Sequence, residues 1–280
     1  MKNILLIILF MAGSCAFAQQ TTEDTTKKNV IDTLKKDLLT VPDTVQHLRS
    51  KFASLIPPAA LMGYGITSFY VKPLRKWDRY IYKEAQEHNI ITNSSIEDYF
   101  QYAPVALVYG LNVVGVHGKN TFVDRTLIYV LSQGMLKLSL NVLKRSTHRL
   151  RPNELDRFSF PSGHTGTAFS GAEFMAQELS GNSPYYGLVG YAFATTTGVF
   201  RIYHQDHWFS DVVAGAGLGI LATKGAYLLY PYIRNTLFRG KDKNDDQNLA
   251  PELKKKARRS AILLPSYQSG GFGVEFAMEL

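Results

Sequence analysis

Six apolar stretches, each begun or broken off near a proline, constrain this chain before any single residue is considered. They run over about 52–71, 102–116, 126–143, 165–179, 184–200 and 212–233. Pro57-Pro58, Pro73, Pro104, Pro152, Pro161, Pro184 and Pro231 stand at or near their ends. Proline's fixed φ and missing N–H are tolerated where a helix starts or stops. No stretch before the tail alternates apolar and polar residues as a half-buried strand would. The predicted fold is all-α, a bundle of about six main helices with minor ones between them and no internal repeat. Between the first two stretches, Trp77, Tyr80, Ile81, Lys83 and Glu84 are spaced as on a surface helix.

The flanks read differently. Residues 1–18 carry a lysine, a short apolar run and the small-x-small site Ala16-Phe17-Ala18, the pattern of a secretory signal peptide cleaved before Gln19. The apolar run is too short for a comfortable membrane span. Cys15 raises lipid attachment as an alternative, but Ala12-Gly13-Ser14 lacks the large aliphatic residue such a site usually has. Cleavage after Ala18 would leave no cysteine, hence neither a disulfide nor a thiolate metal site. Residues 19–51 are a polar linker and 239–260 a charged one, with a basic cluster at Lys254–Arg259. In 261–280, Phe272, Val274, Phe276, Met278 and Leu280 alternate after Ser269-Gly270-Gly271, predicting a short strand-like, hairpin-forming tail. The folded domain is expected over 52–238.

Several of the apolar stretches are shorter than the roughly 20 residues needed to cross a bilayer. Lys137, Glu173, Glu178 and Lys224 interrupt them, and intramembrane charge is expensive. Mean hydropathy is only -0.09. The expectation is a compact exported domain in the periplasm, soluble or membrane-associated. The formal net charge of +8 suits anionic partners. No nucleic-acid motif is present and the aromatic residues are spread through apolar helices, so nucleic acid is not expected as a partner.

Three polar clusters interrupt the apolar pattern, each at a helix end. The first closes the third main helix and runs from Lys144 to Arg151-Pro152. A lysine and an arginine there can converge on one anion. The second, Pro161-Ser162-Gly163-His164, opens the fourth helix, where free backbone N–H groups and the helix dipole form a seat for phosphate. The third is RIYHQDHWFSD over 201–211, holding Arg201, His204, Asp206, His207 and Asp211. His207 and Asp211 stand four apart, on one face of a helix entry. An aspartate there could accept the imidazole Nδ1–H and leave Nε2 free as nucleophile, base or metal ligand. Chain direction lets all three clusters share one end of the bundle.

Lys-x6-Arg-Pro, Pro-Ser-Gly-His and Arg-x5-His-x3-Asp, in that order, resemble the three-part signature of the type 2 phosphatidic acid phosphatase family. Its superfamily takes in bacterial acid phosphatases, lipid phosphate phosphatases and vanadium haloperoxidases. The resemblance covers roughly 52–238 and departs at Phe200, where the family often has serine. It implies a phosphoric ester hydrolase without metal or cofactor. Lys144, Arg151, Ser162, Gly163 and Arg201 would bind phosphate. His207 would attack phosphorus, oriented by Asp211, and form a phosphohistidine. His164 would protonate the leaving oxygen and then activate water. His204, Asp206, His148 and Arg149 fall outside the motif and read as rim or structure. The implied substrate is a phosphorylated lipid (phosphatidate, phosphatidylglycerol phosphate or polyprenyl diphosphate) or a small organic phosphate, and contact with a membrane surface is left open. The alternatives are a soluble acid phosphatase, a vanadate-dependent haloperoxidase and a non-catalytic scaffold.

Overall fold

Helix punctuation by proline is visible throughout the computed structural model, which describes residues 52–87, 95–238, 261–268 and 271–278. The signal-peptide reading of 1–18, the polar linker 19–51 and the charged linker 239–260 lie outside the described residues. A 3₁₀ turn, Phe52–Leu55, leads into α1 (Ile56–Thr67), whose first turn holds Pro57-Pro58. There follow α2 (Lys72–Glu87), α3 (Ile96–Phe100), α4 (Ala103–Val113), α5 (Phe122–Thr147), α6 (Gly163–Leu179), α7 (Tyr185–Tyr203) and α8 (Phe209–Phe238). Thr121 caps α5 by accepting from the Asp124 N–H, and Pro184 immediately precedes α7. Pro231 departs from the expectation: it sits inside α8, which continues to Phe238. Two strands, β1 (Ala261–Gln268) and β2 (Gly271–Met278), pair antiparallel with Ala261 opposite Met278.

The bundle is organised around α6 and α8. α6 packs on α7, α8, α4 and α5, while α8 also packs on α1 and α5. Val105, Val108, Ile128, Phe174, Met175, Leu179, Ala226 and Tyr227 form the main buried cluster. Near the cluster-bearing end, small residues bring backbones together. A Cβ at Gly215 would stand 2.5 Å from the Ser162 carbonyl oxygen, and one at Gly217 2.5 Å from that of Pro58. Glycine at these positions lets α8 lie directly against the start of α6 and against α1.

Most of the charges that interrupt the apolar runs turn inward. Glu178 pairs with Arg125 at 3.2 Å and accepts from Tyr227 at 2.5 Å, and Lys224 meets Glu173 at 2.8 Å. Asp124 accepts from Tyr230 at 2.6 Å and pairs with Arg234 at 3.2 Å. The outer faces stay apolar: Leu127, Val130, Leu138 and Val142 on α5 are exposed, as are Leu188, Val189 and Val199 on α7 and Leu229 and Ile233 on α8. Of the four charges that argued against these helices crossing a membrane, only Lys137 is exposed. The objection therefore fails for Glu173, Glu178 and Lys224, whose charges are compensated inside the bundle. Phe122–Thr147 and Phe209–Asn235 are long and apolar enough to cross a membrane by length and composition.

Candidate active site

α5 ends where His148 turns into the left-handed region, at φ 45°, and the loop that follows folds back over the helix end. The Ser159 N–H donates to the Arg149 carbonyl at 3.0 Å and the Arg151 N–H to the Asp156 carbonyl at 3.1 Å. Lys144, one turn inside α5, donates to the Phe158 carbonyl at 2.5 Å. Arg151 Nε donates to Asp156 Oδ1 at 2.8 Å. Both motif cations therefore shape this loop.

His207 lies in the short connection from α7 to α8 and is 2% exposed. Its Nδ1 stands 2.7 Å from the carbonyl oxygen of Ser159. A carbonyl only accepts, so Nδ1 carries the proton and Nε2 keeps its lone pair. The pairing anticipated from the i, i+4 spacing is not made directly, because the nearest Asp211 oxygen is 3.9 Å from Nδ1. Asp211 binds the neighbours of His207 instead. Its Oδ2 accepts from the Ser159 hydroxyl at 2.5 Å and from the Trp208 N–H at 3.0 Å. Oδ1 receives Arg149 at 2.7 Å. Asp211 thus holds both the residue whose carbonyl orients His207 and the residue following His207.

Three cations act electrostatically on this imidazole. Burial first, then Lys144, Arg151 and Arg201, hold His207 well below the ordinary histidine range, so it is neutral. Burial lowers Lys144 to about 8, helped by Arg151 and Arg201 and opposed by Asp211 and Asp156. Burial and then Arg201 lower His164, against the pull of Asp98. Burial raises the Asp211 carboxyl to about 6 against the pull of Arg149, Ser159 and Trp208. Cations gathered around a neutral imidazole suit an incoming phosphate, whose charge would offset their repulsion.

Each remaining motif residue can be placed. Arg201, in the last turn of α7, pairs with Asp206 at 2.7 Å and reaches Glu97 at 3.4 Å, while its buried Nε has no partner. His164, in the first turn of α6, bonds Asp98 at 2.9 Å. Gly163 opens α6, so no helical carbonyl reaches its N–H. Ser162 is fully buried, with its hydroxyl 2.9 Å from that of Thr165 and its N–H donating to the Asp211 carbonyl. The Ser162 hydroxyl is thus already engaged within the protein. His204 and Asp206, outside the motif, bind Glu97 at 2.6 Å and Arg201 respectively.

Four further residues, Arg149, Asp78, Glu97 and Asp98, are bonded into the candidate site, and no motif in the sequence includes them. Arg149 bridges Asp211 to Asp78 Oδ2, the latter at 2.6 Å. Asp78, on α2, is 1% exposed and also accepts from the Ser210 N–H at 2.9 Å and its hydroxyl at 2.7 Å. Glu97 and Asp98 come from the five-residue α3. Asp78 left a readable trace: with Leu74, Ile81 and Ala85 it forms the i, i+4, i+7, i+11 core face of α2, an odd place for a carboxylate. Nothing comparable marks Glu97 or Asp98.

Comparison with known proteins gives a family match and several relatives. Residues 125–235 match the family model of the PAP2 superfamily. A lipid A 1-phosphatase of Porphyromonas gingivalis is 33% identical over 148 residues, 52% of this chain and 32% of that protein. A probable lipid phosphate phosphatase 4 of Arabidopsis thaliana is 34% identical over 91 residues, 28% of this chain and 30% of that protein. The chain thus spans about a third of the length of these curated relatives. A transmembrane PAP2 type phosphatidylglycerolphosphate phosphatase from Bacillus subtilis superposes with a TM-score of 0.44 at 23% identity, over 66% of this chain and 99% of that one. Aquifex aeolicus LpxE gives 0.40 at 21%, over 54% and 92%.

Proposed function

The chain carries a PAP2 superfamily domain over residues 125–235, and on that premise we propose that it is a metal-independent phosphatase working through a phosphohistidine on His207. The observation that carries the reading is the Ser159 carbonyl at Nδ1, which leaves a neutral Nε2 lone pair amid three cations. Lys144, Arg151, Arg201 and the Gly163 N–H hold the phosphoryl oxygens and stabilise the charge that spreads over them in the transition state. Nε2 attacks phosphorus, the bond to the leaving oxygen breaks, and His164 gives that oxygen a proton. His164 then takes a proton from water, whose oxygen attacks phosphorus. The N–P bond breaks, and inorganic phosphate and free His207 result.

We read the substrate as a phosphorylated lipid, monoester or diphosphate, met on the extracytoplasmic side. Leu155 and Phe158, on the loop that Lys144 and Arg151 hold, are 81% and 44% exposed, and Tyr99 beside Asp98 is 76% exposed. Apolar groups offered to solvent around a polar site suit a ligand with a charged head and an apolar body. The names of the two curated relatives, both lipid phosphatases, support the same class. The exposed apolar faces of α5, α7 and α8 support membrane association.

The test is phosphate release by full-length protein in detergent, from a panel of lipid and soluble phosphates, beside His207→Ala. Acid-labile, alkali-stable label on wild type after a quench with radiolabelled substrate is expected, with none on the variant. Wild-type turnover by His207→Ala would overturn the nucleophile assignment.

A further inference from the structure

α2 lies beside the site yet supplies only Asp78 to it. Lys72, Arg75, Lys76, Arg79 and Lys83 are all exposed. At 3.6 residues per turn they fall on a single stripe about 100° wide. Next to that stripe stand Trp77 and Tyr80, 57% and 60% exposed, their rings edge-on at 6.1 Å. The opposite face, Leu74, Asp78, Ile81 and Ala85, turns into the protein. Of the three carboxylates on α2, Asp78 is buried against Arg149 and Ser210, and Glu84 and Glu87 lie in the last turn.

The helix is firmly set against the catalytic loop. The Tyr82 ring lies 5.6 Å from that of Trp208, the neighbour of His207, and Gln205 donates to Gln86 at 2.7 Å. A basic stripe with exposed tryptophan and tyrosine at its edge is the chemistry of a helix lying at a lipid–water boundary. The cations meet anionic head groups there, and the rings seat at head-group depth. A soluble anion would use the cations but not the two rings.

We propose that α2 is a docking surface for an anionic lipid bilayer and holds the mouth of the site at the head-group level. The chain has two tryptophans, Trp77 and Trp208, so the difference between wild type and Trp77→Phe isolates the Trp77 emission. Full-length protein would be placed in lipid discs with brominated acyl chains, made of phosphatidylcholine alone or mixed with phosphatidylglycerol. Trp77 quenching is expected to be about twofold greater with phosphatidylglycerol and to lose that excess in high salt. Replacing Lys72, Lys76, Arg79 and Lys83 by glutamine should remove the excess while hydrolysis of a soluble phosphate ester stays at the wild-type rate. Arg75 is left in place because it donates to the Phe69 carbonyl. Equal quenching in the two kinds of disc, or an excess indifferent to salt, would overturn the proposal. The quenching needs no turnover, so its failure would leave the phosphatase reading standing, and the reverse.

Discussion

His207 gives its Nδ1–H to the Ser159 carbonyl at 2.7 Å, and Asp211 reaches the imidazole only through its hold on Ser159 and Trp208. A backbone carbonyl cannot change protonation state, so the tautomer survives changes at Asp211. That separates this arrangement from a triad in which the carboxylate itself fixes the tautomer, where Asp→Asn costs about 10⁴ in kcat. We expect Asp211→Asn to lower kcat by roughly 10- to 100-fold, with KM within about threefold, because position is loosened while the tautomer is kept. Steady-state kinetics on a soluble ester would show it, and a 10⁴-fold loss would mean that Asp211 does more than position.

Lys144 should govern the alkaline side of the pH profile. Its pKa is lowered to about 8, so the free enzyme loses this positive charge as pH rises through that value. We expect kcat/KM to fall towards a tenfold loss per pH unit above about 8. A guanidinium stays charged, so Lys144→Arg should move the fall to higher pH even if its rate is lower throughout. An unmoved alkaline limb in that variant would assign the titration to another group.

Arg149 stands between two carboxylates that are each almost fully buried. Removing Asp78 strips it of one partner and leaves the Ser210 N–H without its acceptor. We expect Asp78→Ala to destabilise the protein by about 3 kcal/mol. The thermal midpoint of detergent-solubilised protein should fall, and kcat should drop further than KM rises as Arg149 shifts against Asp211. A midpoint equal to wild type would show that α2 is not anchored through this pair.

Gly215 tests how tightly the start of α6 is set. A methyl group there would stand 2.5 Å from the Ser162 carbonyl oxygen, a backbone atom with little freedom to move. Gly215→Ala should cost about 1–3 kcal/mol through overpacking. It should also reduce kcat, because Ser162 precedes Gly163 and His164. Gly134, with nothing within 4 Å of its added Cβ, is the control, and Gly134→Ala should keep wild-type activity. Equal activity in both variants would argue against a tightly set α6 start.

Much of the site was legible because its chemistry is clustered along the chain. Lys144 and Arg151, His164, and Arg201 with His207 fall within three short segments at helix ends, and spacing on a helix is a local property. The reading erred where spacing was taken for contact. An i, i+4 interval places His207 and Asp211 on one side, but Nδ1 meets the Ser159 carbonyl at 2.7 Å while the nearest Asp211 oxygen is 3.9 Å away. Charge within apolar runs is hard to weigh from sequence for a related reason. Glu173 and Glu178 look like breaks in a lipid-compatible surface until Lys224 and Arg125 are brought against them from other helices.

By itself the sequence determined the helical class and the approximate helix ends, and it grouped the candidate cations and imidazoles at those ends. Local propensity, proline positions and motif spacing suffice for that, since each acts within a turn or two of chain. Only the tertiary structure decided what each group does to its neighbours. Asp78 lies 71 residues from Arg149, and Glu97 lies 107 from His204. No local pattern carries a pairing across such distances. It arises when packing buries a charge and the cost of leaving it alone selects a partner from whichever helix lies alongside.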